Sequence, residues 1–221
     1  MQTEDLKLDR KDLKFKLKDF ESGKSNVLLI TGFVGSGKST LADKLAKKYD
    51  AQHLQLDCFT EYLNGGETLE ELENLEEFGL LDYIKEANLD KKVGQLDFDS
   101  DEVVYLIRDY LKFLIKWCEQ QDEKFIIEGM SIYDVFQEGD DFITSCPMII
   151  KGTSGETATK RAAKRNANFK AEHSQSDWTE QEWYDTLVQY IKADDEKLNV
   201  LEKEMNKTFA EEFKEYNELW D

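Results

Sequence analysis

The chain has 221 residues, of which 40% are hydrophobic and 12% aromatic, and it carries a formal net charge of −19. That is apolar material for one substantial core, so a single domain over residues 1–221 is expected rather than a disordered chain. Such acidity repels nucleic-acid backbones, and no apolar run approaches the ~18 residues of a membrane span, so neither a nucleic acid nor a membrane is an expected partner.

Taken in chain order, the first residues mix acids and bases without an apolar stretch, which excludes a secretory signal and fits a cytoplasmic protein. Residues 13–17 (LKFKL) alternate as an edge strand does, while Leu13, Leu17 and Phe20 also fit a helix. Residues 1–24 are thus set apart as an N-terminal extension. Val27-Leu28-Leu29-Ile30 is an all-apolar run of the kind found in buried parallel strands. A glycine-rich loop follows, then a helix over residues 39–49 with Leu41, Leu45 and Ala46 on one face. His53–Leu56 is a second strand ending at Asp57, and residues 68–88 read as helix, opened by Thr68 and Glu71 as a capping box. Val103, Val104, Ile107, Leu111, Leu114 and Ile115 recur at helical spacing over residues 101–118. Phe125-Ile126-Ile127 and Met148-Ile149-Ile150 are the third and fourth strands, ending at Glu128-Gly129 and Lys151-Gly152. Residues 157–168 form a basic helix, and the remainder is helical and acidic, with capping boxes at Thr179–Glu182 and Thr208–Glu211. Strands alternating with helices predict an α/β fold with a parallel sheet, whose ligands sit beyond the carboxyl ends of the strands.

Charge is unevenly spread along this order. Residues 61–109 hold fifteen acidic against four basic residues, and residues 171–221 fifteen against five. The segment around the glycine loop and residues 151–170 are net basic, as a local pocket for a small anion requires. Cys58, Cys118 and Cys146 are widely spaced with no CxxC pair, which favours free thiols over a metal site. His53 and His173 are isolated and receive no role.

Gly32-Phe33-Val34-Gly35-Ser36-Gly37-Lys38-Ser39 has the spacing G-x-x-x-x-G-K-S. Glycines allow backbone N–H groups to turn toward phosphate oxygens, and the following helix adds its positive end. The motif therefore predicts binding of a nucleoside triphosphate, ATP or GTP, with Mg²⁺. Residues 32–40, Thr40 included, cradle the phosphates; Lys38 reaches the outer ones and the Ser39 hydroxyl ligates the metal. Asp57 is a candidate general base for an attacking hydroxyl, or a water-mediated metal partner, or simply a strand-end or helix-capping acid. Glu128 is a candidate Mg²⁺-side acid, or an acid that only bonds backbone N–H groups. Lys160, Arg161, Lys164 and Arg165 place two basic pairs four residues apart. They fit either a lid over the transferring phosphoryl group, with Arg161 and Arg165 on its charge, or a solvated basic face. Trp178, Trp183, Tyr184 and Tyr190 are better explained by helix packing than by substrate stacking.

Ile30-Thr31-Gly32 through Leu41, then Leu56-Asp57-Cys58-Phe59, then Ile127-Glu128-Gly129, resemble the P-loop small-molecule kinases, uridine kinase and the zeta-toxin-like kinases above all. The likeness spans about residues 25–170 and implies a three-layer P-loop fold with a helical lid over about residues 152–168. It also implies a base at Asp57, a metal-side acid at Glu128 and lid arginines at Arg161 and Arg165. Thr60 stands where the uridine kinases carry Tyr, a fifth apolar strand is not evident, and the acidic tail over residues 171–221 is outside the pattern. The expected function is an ATP- and Mg²⁺-dependent kinase acting on a hydroxyl of a small metabolite (nucleoside, nucleotide or nucleotide sugar). Two alternatives stand beside it: a nucleotide-hydrolysing switch or assembly factor that engages a partner through its acidic tail, and a toxin-like kinase of a cell-wall precursor. Asn206-Lys207-Thr208 begins like a guanine-reading motif but continues to Phe209, so guanine specificity gains no support.

Overall fold

The computed structural model describes residues 17–32, 34–63, 80–89, 101–132, 135, 141–151, 155–172 and 178–188. Their elements run β1 (Val27–Thr31), α1 (Lys38–Tyr49), β2 (Ala51–Gln55), α2 (Asp57–Leu63), α3 (Leu80–Glu86), α4 (Asp101–Glu119), β3 (Lys124–Glu128), α5 (Asp141–Ser145), β4 (Met148–Ile150) and α6 (Gly155–Glu172). Residues 17–21 and 180–188 are also helical. The four strands form one parallel sheet in the order β2-β3-β1-β4, the α/β organisation expected from the alternation of elements. Calls made on residues 1–16, 33, 64–79, 90–100, 152–154, 173–177 and 189–221 lie outside the described residues.

Every residue of β1 is buried, as are all of β4 and all but the first of β3. Continuous burial is what selects an unbroken apolar run over an alternating one. β3 carries the sheet. It sets Val27 opposite Phe125 and Ile30 opposite Glu128 on one side, and Ala51 opposite Lys124 and Gln55 opposite Glu128 on the other. The Leu29 N–H donates to the Pro147 carbonyl at 2.9 Å, which ties β1 to the approach of β4. Asn26 fixes the other end of β1: its amide donates to the carbonyls of Cys118, Gln121 and Glu123 at 2.7, 3.2 and 3.2 Å.

The helices end for local reasons. Asp50 after α1 and Asn88 after α3 both take φ 51°, the left-handed turn that Asp and Asn tolerate best after glycine. Lys47 and Lys48 in the last turn of α1, and Asp101 and Glu102 in the first turn of α4, complement the helix dipoles. The apolar stripe of α4 buries Val103, Ile107, Leu111, Leu114 and Ile115, as its spacing predicts, together with Tyr110 and Cys118. Thr179 and Glu182 form the expected capping box: the Thr179 N–H donates to Glu182 Oε2 at 2.7 Å, and the Glu182 N–H to Thr179 Oγ1 at 3.3 Å. The Thr179 N–H, and then the Thr179 hydroxyl that donates to the same Oε2 at 2.8 Å, hold the Glu182 carboxyl below its ordinary range.

Four elements differ from the sequence expectation. Leu17 belongs to a helical stretch, so the edge-strand reading of residues 13–17 does not hold there; Leu17 and Phe20 are buried, and Phe20 meets Tyr49 edge-on at 5.5 Å. β2 ends at Gln55, and Asp57 opens a helix rather than closing a strand. That helix, α2, had no periodic signal over seven residues; it forms because Phe59, Tyr62 and Leu63 are all buried. α5 is too short for any periodicity to announce it.

The described residues separate into two compact units, one holding those up to Thr31 and from Ala42 to Ile149, the other those from Gly32 to Leu41 and from Ile150 onward. The sheet's core, α2 to α5 and most of α1 belong to the first; the glycine loop, α6 and residues 178–188 belong to the second. No helix among the described residues is long and apolar enough to cross a membrane.

Ile126 is 0% exposed in the central strand, so Ile126→Ala is expected to cost about 2–5 kcal/mol in urea unfolding; a loss below ~1 kcal/mol would contradict the packing of β3. Burial also pushes the Cys118 thiol up to about 12, while Cys58 is half-exposed and Cys146 buried. Alkylation of the native protein near neutral pH, read by peptide mass, should therefore label Cys58 first and Cys118 only on unfolding.

Candidate functional site

The glycine loop leaves the buried strand β1 and delivers its lysine to the first position of α1. Gly35 and Gly37 take φ 80° and 90°, which side chains with a Cβ rarely adopt. Gly32 is required by proximity instead. A Cβ there would collide with the Lys151 carbonyl oxygen and stand 2.8 Å from Ser36 Oγ. The loop's first residue and the residue that leaves β4 are thus in backbone contact. The Gly37 carbonyl accepts the Leu41 N–H at 3.0 Å and starts the helix.

Around this loop the side chains are cationic. Lys38 is 6% exposed. A Cβ built on Gly37 would lie 3.9 Å from Lys151 Cε and 4.0 Å from Arg161 Nη1. In α6, Thr159, Ala162 and Ala163 are buried while Lys160, Arg161, Lys164 and Arg165 are exposed, so the two basic pairs share the outer side of one helix. Val34, Gly35, Gly37 and Ser39 are half-buried and Thr40 is exposed; Phe33 lies outside the described residues. The Ser36 hydroxyl is fully buried with no hydrogen-bond partner, a desolvated polar atom that the protein alone leaves uncompensated. Turned glycines, a buried lysine and an orphaned hydroxyl together fit a phosphate-bearing guest.

The other unit holds Asp57 and Glu128, at the carboxyl ends of adjacent strands. Three bonds organise them. The Leu56 N–H donates to the Glu128 carbonyl at 2.7 Å, the Gly129 N–H to the Ile30 carbonyl at 3.1 Å, and the Met130 N–H to Asp57 Oδ1 at 3.1 Å. The Thr31 hydroxyl, buried, donates to the Met130 carbonyl at 3.2 Å. Asp57 is half-buried, and the Met130 N–H holds one of its carboxylate oxygens. Glu128 is 2% exposed, and a carboxylate so deep in the core calls for compensation.

His53 supplies part of that environment, and sequence reasoning gave it no role. Its Nδ1 is 2.8 Å from Asp43 Oδ1, while its buried Nε2 has no hydrogen-bond partner and lies 3.9 Å from Glu128 Oε1. A lone histidine has no partner at a fixed spacing, and Asp43 and Glu128 come from a helix and a strand far apart in sequence. Only the β2–β3 register, with Gln55 opposite Glu128, would have pointed to it. His53 also lines a cavity of about 210 Å³ with Gln55, Cys58, Phe59, Leu80 and Tyr110. This exceeds the ~150 Å³ that admits a benzene ring. Its wall is an aromatic cluster: Phe59 and Tyr110 are 4.2 Å apart between centroids, and Tyr83 packs on Tyr110 at 5.2 Å. Burial raises the Tyr110 hydroxyl pKa well above the usual phenol range, so that hydroxyl is a neutral donor or acceptor.

Among the described residues no group of three or more His, Cys, Asp or Glu side chains is placed to hold a metal. Of the two residues expected at a Mg²⁺, Ser39 belongs to the unit of the glycine loop and Glu128 to the other. No protein-family model matches this chain, and no curated protein sequence matches it.

Gly129 is the tightest point near the two acids: a Cβ there would meet Leu56 Cβ at 2.8 Å and Asp57 Oδ1 at 3.2 Å. Gly129→Ala is expected to cost about 1–3 kcal/mol in stability by overpacking. It should also shift the Met130 amide resonance as the Asp57 bond is displaced. An unchanged amide and an unchanged unfolding midpoint would show that this junction has slack.

Proposed function

We propose that this chain is an ATP- and Mg²⁺-dependent phosphotransferase with a three-layer P-loop fold, transferring a phosphoryl group to a hydroxyl of a small metabolite. The observation that carries this reading is the loop: buried β1, glycines at φ values suited to them, a buried and unpartnered Ser36 hydroxyl, and Lys38 on the first turn of the helix. The likeness to uridine kinase and the zeta-toxin-like kinases, at the loop, at Asp57 and at Glu128-Gly129, supports the kinase over a hydrolase.

The roles follow from the chemistry of each group. Lys38 and the loop backbone would hold the phosphates, and the N-terminal end of α1 adds its positive potential. Ser39 and Glu128 are the residues that would hold Mg²⁺, which when bound screens the charge of the phosphates. Asp57, its direction set by Met130, would accept the proton of the attacking hydroxyl. Arg161 and Arg165 would neutralise charge on the phosphoryl group in transit. The cavity beside α2, which Asp57 opens, has the size and aromatic lining for a small ring of the acceptor.

The test is transfer from radiolabelled ATP to a panel of nucleosides, nucleotides and nucleotide sugars. Asp57→Asn should lower turnover by about 10²–10⁴-fold while ATP binding persists, and Lys38→Ala should abolish binding. A labelled product that survives Asp57→Asn at full rate would remove Asp57 as the base. ATP binding with no labelled acceptor, and hydrolysis in its place, would turn the reading toward a nucleotide-driven switch.

A further inference from the structure

We infer that Lys151, a residue outside the glycine-loop motif, is a further phosphate-binding residue that works with Arg161 on the outermost phosphate of a nucleoside triphosphate. The inference rests on the reading of the loop given above and extends it to a residue supplied by the end of β4. Lys151 is rooted firmly. Its carbonyl would collide with a Cβ on Gly32, so its backbone passes directly against the start of the loop. From that root the side chain runs across the loop, Cε reaching within 3.9 Å of the Gly37 Cβ position. Arg161 Nη1 approaches the same position at 4.0 Å from a different element, α6.

Two cations converging on one glycine repel each other, and buried Lys38 follows in the chain. Three positive side chains about one short loop make a local positive potential that favours an anion of several charges. A nucleoside triphosphate meets that condition better than a diphosphate, because its terminal group adds both charge and oxygen acceptors. The two heads also differ usefully: guanidinium grips oxygens as a fork, while ammonium is a compact point charge with three donors. A lysine held at a strand end and an arginine held on a helix are both prepositioned, so little ordering is needed when the phosphate arrives.

The competing role is mechanical, with the methylene stem of Lys151 merely covering the loop. The two are separated by Lys151→Met, which keeps the stem and removes the charge, and Lys151→Arg, which keeps the charge. Titration calorimetry of the full chain with Mg²⁺ and either a non-hydrolysable ATP analogue or ADP reads the outcome. Lys151→Met should weaken the triphosphate analogue by about 10-fold or more and ADP by less than ~3-fold, and Lys151→Arg should recover most of the loss. The thermal midpoint of Lys151→Met without ligand should not fall below the wild-type value, since removing one of the converging charges relieves their repulsion. Equal weakening of both nucleotides, or wild-type affinity in Lys151→Met, overturns the inference. Lys38→Ala separates the two levels: if it abolishes binding while Lys151→Met binds normally, only the role of Lys151 falls. If Lys38→Ala leaves binding intact, the reading of the loop falls and Lys151 with it.

Discussion

At the end of β3 the backbone hands its hydrogen bonds to both neighbours within three residues. The Glu128 carbonyl takes the Leu56 N–H, the Gly129 N–H goes to Ile30, and the Met130 N–H goes to the Asp57 carboxylate. The geometry of the two acids depends on this junction. It places Glu128 in the core with its side chain beside His53, and it aims Asp57 from the first turn of α2. Gly129 permits it, since a methyl group there would collide with Leu56. The buried Phe59 secures α2 against the aromatic residues of α3 and α4, so the same helix both carries Asp57 and lines the cavity.

Much of this could be read from the residues alone, and the parts that could not share a physical cause. β1, β3 and β4 were legible because burial on both faces selects runs such as Val27–Ile30 and Ile126–Ile127. α4 was legible because a long helix repeats its stripe often enough to be counted. β2 is different: only Leu54 is buried in it, and Ala51-Gln52-His53-Leu54-Gln55 carries little apolar signal, which is why its limits were misplaced by two residues at the start and one at the end. α2 is helical through tertiary contact rather than propensity. The loop residues could be named from spacing, whereas Lys151 beside Gly37 and His53 beside Glu128 are contacts made by the chain's return, which spacing does not encode.

The loop unit shows how a short motif depends on residues outside it. Its glycines supply turns, but the close approach at Gly32 is to Lys151, and the charge over Gly37 comes from β4's exit and from α6. The exposed basic side of α6 is matched by a small-residue buried side, Thr159, Ala162 and Ala163, which lets that helix pack closely. An acidic chain can in this way maintain one positive locality. Its net charge describes the chain as a whole and says little about the surroundings of the loop.

The strand order has a consequence for how the chain is made. β1 lies between β3 and β4, both of which follow it by more than ninety residues, and its five residues are all buried in the finished sheet. During synthesis this apolar segment emerges long before either neighbour exists, and Asn26 waits equally long for the carbonyls it will bond. Closing such long loops is slow, and an unpaired apolar strand is prone to self-association meanwhile. The polar, lysine-bearing residues on either side of β1, Lys24 to Asn26 before it and the loop after it, are well placed to act as gatekeepers for the nascent chain.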